Sequence, residues 1–317
     1  MFKLFTFDNG AILEMDSDGL GLEQAMVDAH WLDAQEPEEE ERLLLQRFSR
    51  VDLPELDEME EIEASARYFV DQAGIHVHSL FLTQSEGRHL TSSVACILQP
   101  NRLITIRDCE LADFRLLRMR ARRGQVESNS AAELLVTLLE QKVENLADNL
   151  EDIHRRLEKT SFLVLEEEGS DLEEAIAQLA KSEDSNGKIR LCLMDTQRAI
   201  SFLLRHLREA PELQESCREI MRDIETLMSH TTFLFDKINF LMDSTQGFIN
   251  IEQNQIIKIF SIAAVVFLPP TLVASIYGMN FAHMPELQWL LGYPWALGLM
   301  VLSGVTPYLF FKYKGWL

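Results

Sequence analysis

The pattern of hydrophobic and polar positions changes character near residue 125. Before that point, short apolar runs separated by turn residues predict strands at 3–8, 29–33, 68–71, 75–82, 93–98 and 103–107. A helix is predicted at 37–48, where an acidic run suits the positive end of the helix dipole. Residues 1–125 are therefore expected to form a compact α/β domain.

From residue 126 onwards, apolar positions recur at helical spacing. They predict long helices near 131–165 and 172–208, within a helical region spanning 126–210. An acidic cluster lies between the two helices and comprises Glu166, Glu167, Glu168, Asp171, Glu173 and Glu174. We interpret it as a solvated helix tip, and a cation-collecting patch is the alternative.

A further helix is predicted from Pro211, because residues 212–268 contain no proline and only one glycine, Gly247. It would form a stalk at 211–258 and continue into an apolar segment. At about 1.5 Å per residue, such a helix reaches roughly 100 Å. A rod of that length cannot bury its own faces in a monomer, so association with other copies is expected.

Two charge-free runs, 259–282 and 287–311, follow the stalk. Each can cross a hydrocarbon core of about 30 Å, which takes about 20 helical residues. Trp289, Tyr293, Tyr313 and Trp316 at their ends are typical of membrane interfaces. We predict transmembrane helices at 259–279 and 289–311 in a lipid bilayer, and a buried soluble hairpin is the alternative.

The charges that flank the spans predict their orientation. Lys258, Lys312 and Lys314 lie outside the two spans, whereas the connecting loop contains no lysine or arginine. Positive residues favour the cytoplasmic side, so both termini and the basic tail 312–317 are expected there, with a periplasmic loop at 280–288. Residues 1–10 lack an apolar signal-peptide core, so no signal peptide is expected.

Composition narrows the class of protein. The 317 residues are 47% hydrophobic and carry a net charge of −22, which excludes a disordered chain and argues against a nucleic-acid partner. The four cysteines, Cys96, Cys109, Cys192 and Cys217, form no CxxC pair, so neither a disulfide framework nor a zinc finger is predicted. They fit a reducing compartment best.

One face of the long helix is small or polar through the first span. Steps of three and four residues give Asp243, Gly247, Asn250, Asn254, Ile257, Ser261, Ala264, Leu268, Thr271 and Ser275. Polar residues at membrane depth face a bundle interior or a water-filled path, and hydrogen bonding between helices is the alternative. Because two spans cannot enclose a path, a pore requires several chains around an axis. Ile257 and Leu268 would then form apolar rings able to gate by dewetting.

Other candidate chemistry is weaker. His76 and His78 alternate on one strand face, where a structural role is favoured over metal ligation. No Ser/His/Asp constellation, cysteine nucleophile motif or GxxxxGK[ST] phosphate loop stands out. The sequence therefore predicts neither an enzyme nor an organic cofactor.

The segment that ends the first span reads YGMN at 277–280, and MPEL follows at 284–287. These motifs closely resemble the CorA family of magnesium transport proteins. The resemblance extends to Pro269, to GYP at 292–294 and to the tail 312–317. It is specific over about residues 239–317 and consistent in length and layout over the rest.

The resemblance implies a funnel-shaped homopentamer in which the first span lines the pore and the second packs outside. Gly278, Met279 and Asn280 would form the selectivity filter. The implied function is a channel-like importer of hydrated Mg²⁺, admitting Co²⁺ and Ni²⁺ too, across a bacterial inner membrane. Neutral oxygens suit this task, since Mg²⁺ dehydrates reluctantly. A helix C-cap, with Gly278 as its left-handed residue, is another interpretation of the same segment.

The resemblance also implies regulatory Mg²⁺ bound by carboxylates between subunits. Glu219 matches such a position by its spacing from Asn280, and Asp243 lies on the polar stripe at the inner mouth. Glu286 resembles a loop acid that attracts cations to the outer mouth. Ala282 departs from the family pattern, in which an acid is frequent there, and His283 adds no charge at neutral pH.

Two alternatives remain open at this point. One is a transporter of another divalent cation such as Zn²⁺, including an exporter, and the other is a membrane-anchored enzyme or oligomeric scaffold. The polar stripe argues against a simple anchor, because an anchor has no need of Asn254, Ser261, Thr271 and Ser275 on one face.

Overall fold

The computed structural model describes residues 2–15, 21–49, 67–166, 171–207, 210–280 and 284–316. The chain forms two compact units, residues 1–242 and 243–317. The predicted boundaries at 125/126 and 210/211 do not separate compact units, because strands and helices on both sides of them share one hydrophobic core.

A mixed sheet of seven strands organises the first unit. The strands are β1 (Phe2–Asp8), β2 (Ala11–Glu14), β3 (Trp31–Gln35), β4 (Tyr68–Val70), β5 (Ile75–Ser85), β6 (Arg88–Leu98) and β7 (Leu103–Arg107). Their order is β2-β1-β3-β7-β6-β5-β4. β3 pairs with β7 in parallel, and the other described pairs are antiparallel.

Within the described residues, seven α-helices and one short 3₁₀ turn accompany the sheet. The helices are α1 (Leu22–Asp28), α2 (Glu39–Ser49), α3 (Ala112–Arg122), α4 (Ala131–Leu165), α5 (Leu172–His206), α6 (Pro211–Tyr277) and α7 (Gly292–Tyr313). The 3₁₀ turn covers Pro285–Gln288. The last residue predicted for the second long helix, Arg208, lies outside the described residues.

The two faces of the sheet build two hydrophobic clusters. Alternate residues of one strand enter different clusters, as with Trp31 and Leu32. The smaller cluster joins the sheet to α1 and α2 through Met26 and Leu45. The larger joins it to α3, α4, α5 and the first part of α6, so the unit has helices on both faces of the sheet.

Buried charges fix the strand order at the centre. The Asp33 carboxylate on β3 accepts hydrogen bonds from Arg107 Nε at 3.0 Å and Nη2 at 2.9 Å, and from Arg118 Nη1 at 3.2 Å. Asp33 and Arg107 are completely buried. Removing one partner of such a pair leaves an uncompensated charge and typically costs about 3–5 kcal/mol.

A second buried carboxylate ties α5 to the sheet. Asp195 accepts hydrogen bonds from the Ser79 hydroxyl at 2.6 Å, the Leu80 amide at 2.8 Å and the Tyr68 hydroxyl at 2.6 Å. Burial alone would raise its pKa, but nearby Lys142 and these hydrogen bonds hold the pKa of Asp195 below its usual value. Asp195 therefore stays charged as a structural anchor.

The rings of the two strand histidines both lie against Phe69. His76 Nε2 lies 3.0 Å from Asp71 Oδ1, and its ring stacks on Phe69. Burial lowers the pKa of His78 to about 4, so that this ring is neutral near pH 7. Among the described residues, no group of three or more His, Cys, Asp or Glu side chains could hold a metal ion.

The acidic cluster lies where α4 ends and α5 begins. Asp171 caps α5, because its carboxylate accepts hydrogen bonds from the amides of Glu173 at 3.1 Å and Glu174 at 3.0 Å. These residues and Glu166 are exposed, as a solvated helix tip requires. Glu167 and Glu168 lie outside the described residues.

All four cysteines are free thiols.

Candidate functional site

The second unit exposes an unusual amount of apolar surface. The most apolar 18-residue stretches of α6 and α7 are only 6% and 11% buried. A core helix of a soluble protein would be mostly buried, and each helix is long enough to cross a bilayer. The exposed faces therefore fit hydrocarbon rather than water.

The described part of α6 and α7 begins and ends at slightly different residues from those predicted. α6 ends at Tyr277 rather than at 279, and α7 spans Gly292–Tyr313 rather than 289–311. The later start of α7 arises from the connecting segment. Its 3₁₀ turn and the residues after it, Trp289 to Leu291, precede the helix, although they are apolar enough to read as part of a span.

One face of α6 packs on α7. Within the apolar segment, its buried and half-buried residues recur at helical spacing and are Ile262, Ala263, Val266, Pro269, Pro270, Val273 and Tyr277. The matching residues of α7 are Ala296, Met300, Ser303, Gly304, Pro307 and Phe311. Gly304 makes the approach close, since a Cβ atom placed on it would lie 3.2 Å from Pro270 Cγ.

The predicted polar stripe lies on the other side of α6. Asp243, Asn250, Asn254, Ser261, Ala264, Thr271 and Ser275 are exposed, as are Ile257 (61%) and Leu268 (65%). At about 100° per residue, the centre of the stripe lies roughly 160° around the helix from the face that packs on α7. Apolar residues such as Phe260 and Phe267 are exposed too. The stripe therefore differs from the other exposed surface of α6 in two respects: most of its side chains are small or polar, and it lies opposite α7.

The three predicted filter residues follow the stripe directly and leave the helix. The Gly278 amide donates to the Ala274 carbonyl at 2.9 Å, and the Met279 amide donates to the Ile276 carbonyl at 3.2 Å. The helix thus ends in a tightened last turn. Gly278 does not have the positive φ of a left-handed cap, so that part of the C-cap interpretation is wrong. Gly278, Met279 and Asn280 are all exposed.

A close backbone contact shapes the loop that carries Glu286. The Trp289 amide donates to the Glu286 carbonyl at 3.3 Å, and the Gly292 amide donates to the Trp289 carbonyl at 3.1 Å. A Cβ atom on Gly292 would lie only 2.3 Å from the Glu286 carbonyl oxygen. Glycine is therefore required where α7 begins. Ala282 and His283 lie outside the described residues.

The two predicted regulatory carboxylates occupy different units. Glu219 is exposed on the first part of α6, within the first unit. The pKa of Glu140 is raised first by burial and then by the charge of Glu144. Among smaller causes, the charges of Asp223 and Glu219 also raise it, so Glu219 belongs to a crowded acidic surface. Asp243 is exposed at the start of the second unit.

Two contact residues were not identified from the sequence. Gly304 and Pro270 become significant only through the approach of α7 to α6. The available signals were a glycine inside an apolar helix and a second proline beside Pro269. Neither signal names a partner, because sequence spacing along one helix carries no information about which residues of another helix it meets.

Two adjacent spans, a long helix with one polar face and a large α/β unit define a class of membrane transport protein. A sequence model of the family described as CorA-like Mg²⁺ transporter protein matches residues 28–313. The chain belongs to this family, and it is a Mg²⁺ transporter.

Individual relatives agree with the family assignment. The chain is 51% identical over 296 residues to the magnesium transport protein CorA of Salmonella typhimurium, covering 93% of this chain and 94% of the relative. It is 48% identical over 319 residues to the CorA protein of Escherichia coli K12, covering 100% of both.

A solved structure shares the fold. The CorA magnesium transporter from Methanocaldococcus jannaschii superposes with a TM-score of 0.75 at 20% identity, over 100% of this chain and 99% of that one.

Replacing Gly292 by alanine should move the Glu286 loop, because the new methyl group would overlap the Glu286 carbonyl oxygen. If Glu286 attracts cations, as its resemblance to the loop acid of the family implies, we expect the Mg²⁺ concentration for half-maximal uptake to rise by about threefold or more. The matched control is Gly298→Ala, since a Cβ atom there meets nothing within 4 Å. Equal values for the two variants would show that the contact does not position the loop.

Proposed function

We propose that the protein is a channel-like importer of hydrated Mg²⁺ that assembles as a funnel-shaped homopentamer, with α6 lining the axis and α7 outside. One observation carries the proposal. The polar stripe of α6 is exposed opposite the face that packs on α7, and it leads directly to Gly278, Met279 and Asn280.

The assembly follows from the stripe and the packed face together. Polar side chains at membrane depth are costly in lipid and belong in a bundle interior or on a water-filled path. α7 covers the opposite face of α6, so within one chain nothing described covers the stripe. Further copies of the chain arranged around an axis would place every stripe inside and every α7 outside. Five copies is the number that the family resemblance implies.

The filter chemistry suits a hydrated ion. Asn280 supplies an amide, and the backbone of Gly278 and Met279 supplies carbonyl groups just past the end of α6. A ring of such neutral oxygens can hold the water shell of Mg²⁺ without stripping it. Residues 278–280 have none of the thiolate, imidazole or carboxylate ligands that Zn²⁺ favours, which supports Mg²⁺ over the Zn²⁺ alternative. Hydrated Co²⁺ and Ni²⁺ would be admitted on the same basis.

Import needs no nucleotide. A divalent cation moving towards a negative interior gains about 4.6 kcal/mol per 100 mV, twice the value for a single charge. Lys258, Lys312 and Lys314 flank the spans and would hold both termini in the cytoplasm of a bacterium, with the protein in the inner membrane. Glu286, in the loop on the other side of the membrane, would raise the cation concentration at the entrance of the pore.

The same ion would close the pore. Carboxylates such as Asp243 and Glu219, facing equivalent groups on neighbouring copies, would repel one another unless Mg²⁺ bridged them. When cytosolic Mg²⁺ is low, the bridging ions leave and the acidic surfaces separate. Bound Mg²⁺ therefore favours the closed state, because it binds that state better than the open one.

Asn280→Ala should abolish most Mg²⁺ entry into proteoliposomes that hold the purified protein under an inside-negative potential. The reason is that the filter loses its side-chain amide ring while the helix end is kept. Gln288→Ala, which removes an exposed amide from the same loop, is the control and should transport normally. Wild-type flux that persists in Asn280→Ala would remove Asn280 from the filter.

Asp243→Ala should weaken inhibition by Mg²⁺ on the cytosolic side, because one bridging carboxylate per chain is lost. We expect the internal Mg²⁺ concentration for half-inhibition to rise about tenfold, a typical size for the coupling between two sites. Asp236→Ala, an exposed acid on the same helix, serves as the control. If both inward flux and its inhibition stay unchanged in Asp243→Ala, Asp243 has no part in gating.

A further inference from the structure

A close contact between α6 and α7 lies at Gly304. A Cβ atom on this residue would be 3.2 Å from Pro270 Cγ and 3.6 Å from the Val266 carbonyl oxygen. Comfortable carbon–carbon contacts are about 3.5–4.0 Å. A single methyl group at position 304 would therefore push against the proline ring, whereas the hydrogen of glycine fits.

The proline ring has little freedom to turn away from such a push. Because it is closed onto its own backbone nitrogen, Cγ can shift slightly by a change of ring pucker but cannot rotate to another rotamer, and any further displacement reaches the main chain. Pro269 and Pro270 also lack the amide hydrogens that would otherwise bond to the carbonyls of Val265 and Val266. This turn of α6 thus lacks two consecutive backbone hydrogen bonds and yields more easily than the turns around it.

Helix geometry gives the direction in which this turn of α6 would be displaced. At about 100° per residue, Val266 and Pro270 each lie roughly 200° around the helix from Leu268, so the contact with Gly304 is on the side opposite Leu268. Leu268 is 65% exposed and belongs to the polar stripe, where it is one of the two large apolar residues. A displacement away from α7 therefore carries Leu268 outwards from the two-helix pair.

We propose that Gly304 is a positioning residue that sets the width of the pore at Leu268. This inference rests on the proposed function, in which the stripe faces the axis of a ring of identical chains. A small shift of α6 in every chain then moves every Leu268 towards the axis at once. An apolar constriction conducts only while it is wide enough to hold water, so flux responds steeply to a small narrowing.

Gly304→Ala tests the proposal when it is compared with Gly298→Ala, which adds the same methyl group to the same helix where nothing lies within 4 Å. Mg²⁺ flux is measured in proteoliposomes, and oligomeric state is checked by size-exclusion chromatography in detergent. Gly304→Ala should lower flux by about threefold or more through narrowing of the apolar ring, and Gly298→Ala should match wild type.

A second substitution separates pore width from general packing damage. Leu268→Val trims the side chain on the face of α6 opposite Gly304 and makes no contact with it, so it cannot relieve the clash itself. In the double variant Leu268→Val/Gly304→Ala, flux should return towards the wild-type value, because the smaller side chain widens the pore at position 268 again. Failure of this double variant to recover, with assembly intact, would show that Gly304 acts only through packing and would overturn the proposal.

The remaining outcomes are also decisive. Equal flux in Gly304→Ala and Gly298→Ala would overturn the inference while leaving the proposed function in place. Absence of flux in wild type would instead overturn the proposed function. If Gly304→Ala does not assemble, Pro270→Ala is compared with Pro270→Ala/Gly304→Ala, where the methyl group no longer meets the ring. Equal flux in these two variants supports the contact, and lower flux in the double variant overturns it.

Discussion

Polar side chains within an apolar helix are the constraint on which the arrangement of the membrane unit depends. Asn254, Ser261, Thr271 and Ser275 share one face of α6, and they are costly in hydrocarbon. α7 packs on the opposite face, where small residues such as Gly304 allow a close approach. In the proposed function, the stripe is left for other copies of the chain, and the pore, the filter and the assembly follow from this one division of faces.

The first unit solves a different problem, that of holding charge inside a folded core. Asp33 with Arg107, and Asp195 with Ser79 and Tyr68, satisfy buried carboxylates by several short hydrogen bonds each. These contacts join β3 to β7 and α5 to β5, so they fix the sheet and the helices against it. The excess acidic residues remain largely on the outside, where the proposed regulation by divalent cations would act on them.

Much of this organisation could be predicted from sequence because its signals are local. Charge-free runs identify both spans, and spacing in threes and fours identifies the stripe on α6. β2 and the helices α1 and α3 were not predicted, since short elements carry few periods of any pattern. The end of α6 at Tyr277, the start of α7 at Gly292 and the contact of Gly304 with Pro270 depend on backbone approach between distant residues. The family motif at 277–280 indicated where the proposed filter lies, but not the conformation of that segment.

The most direct test of the account is the accessibility of single cysteines along α6. They would be placed in a transport-competent variant that lacks Cys96, Cys109, Cys192 and Cys217, and treated with a charged, membrane-impermeant thiol reagent at low Mg²⁺. We expect modification and loss of flux at Ser261, Ala264, Leu268, Thr271 and Ser275, and protection at Ile262, Val266 and Val273. Equal modification on both faces, or modification of the stripe without any effect on flux, would contradict the claim that this face of α6 lines the path of the ion.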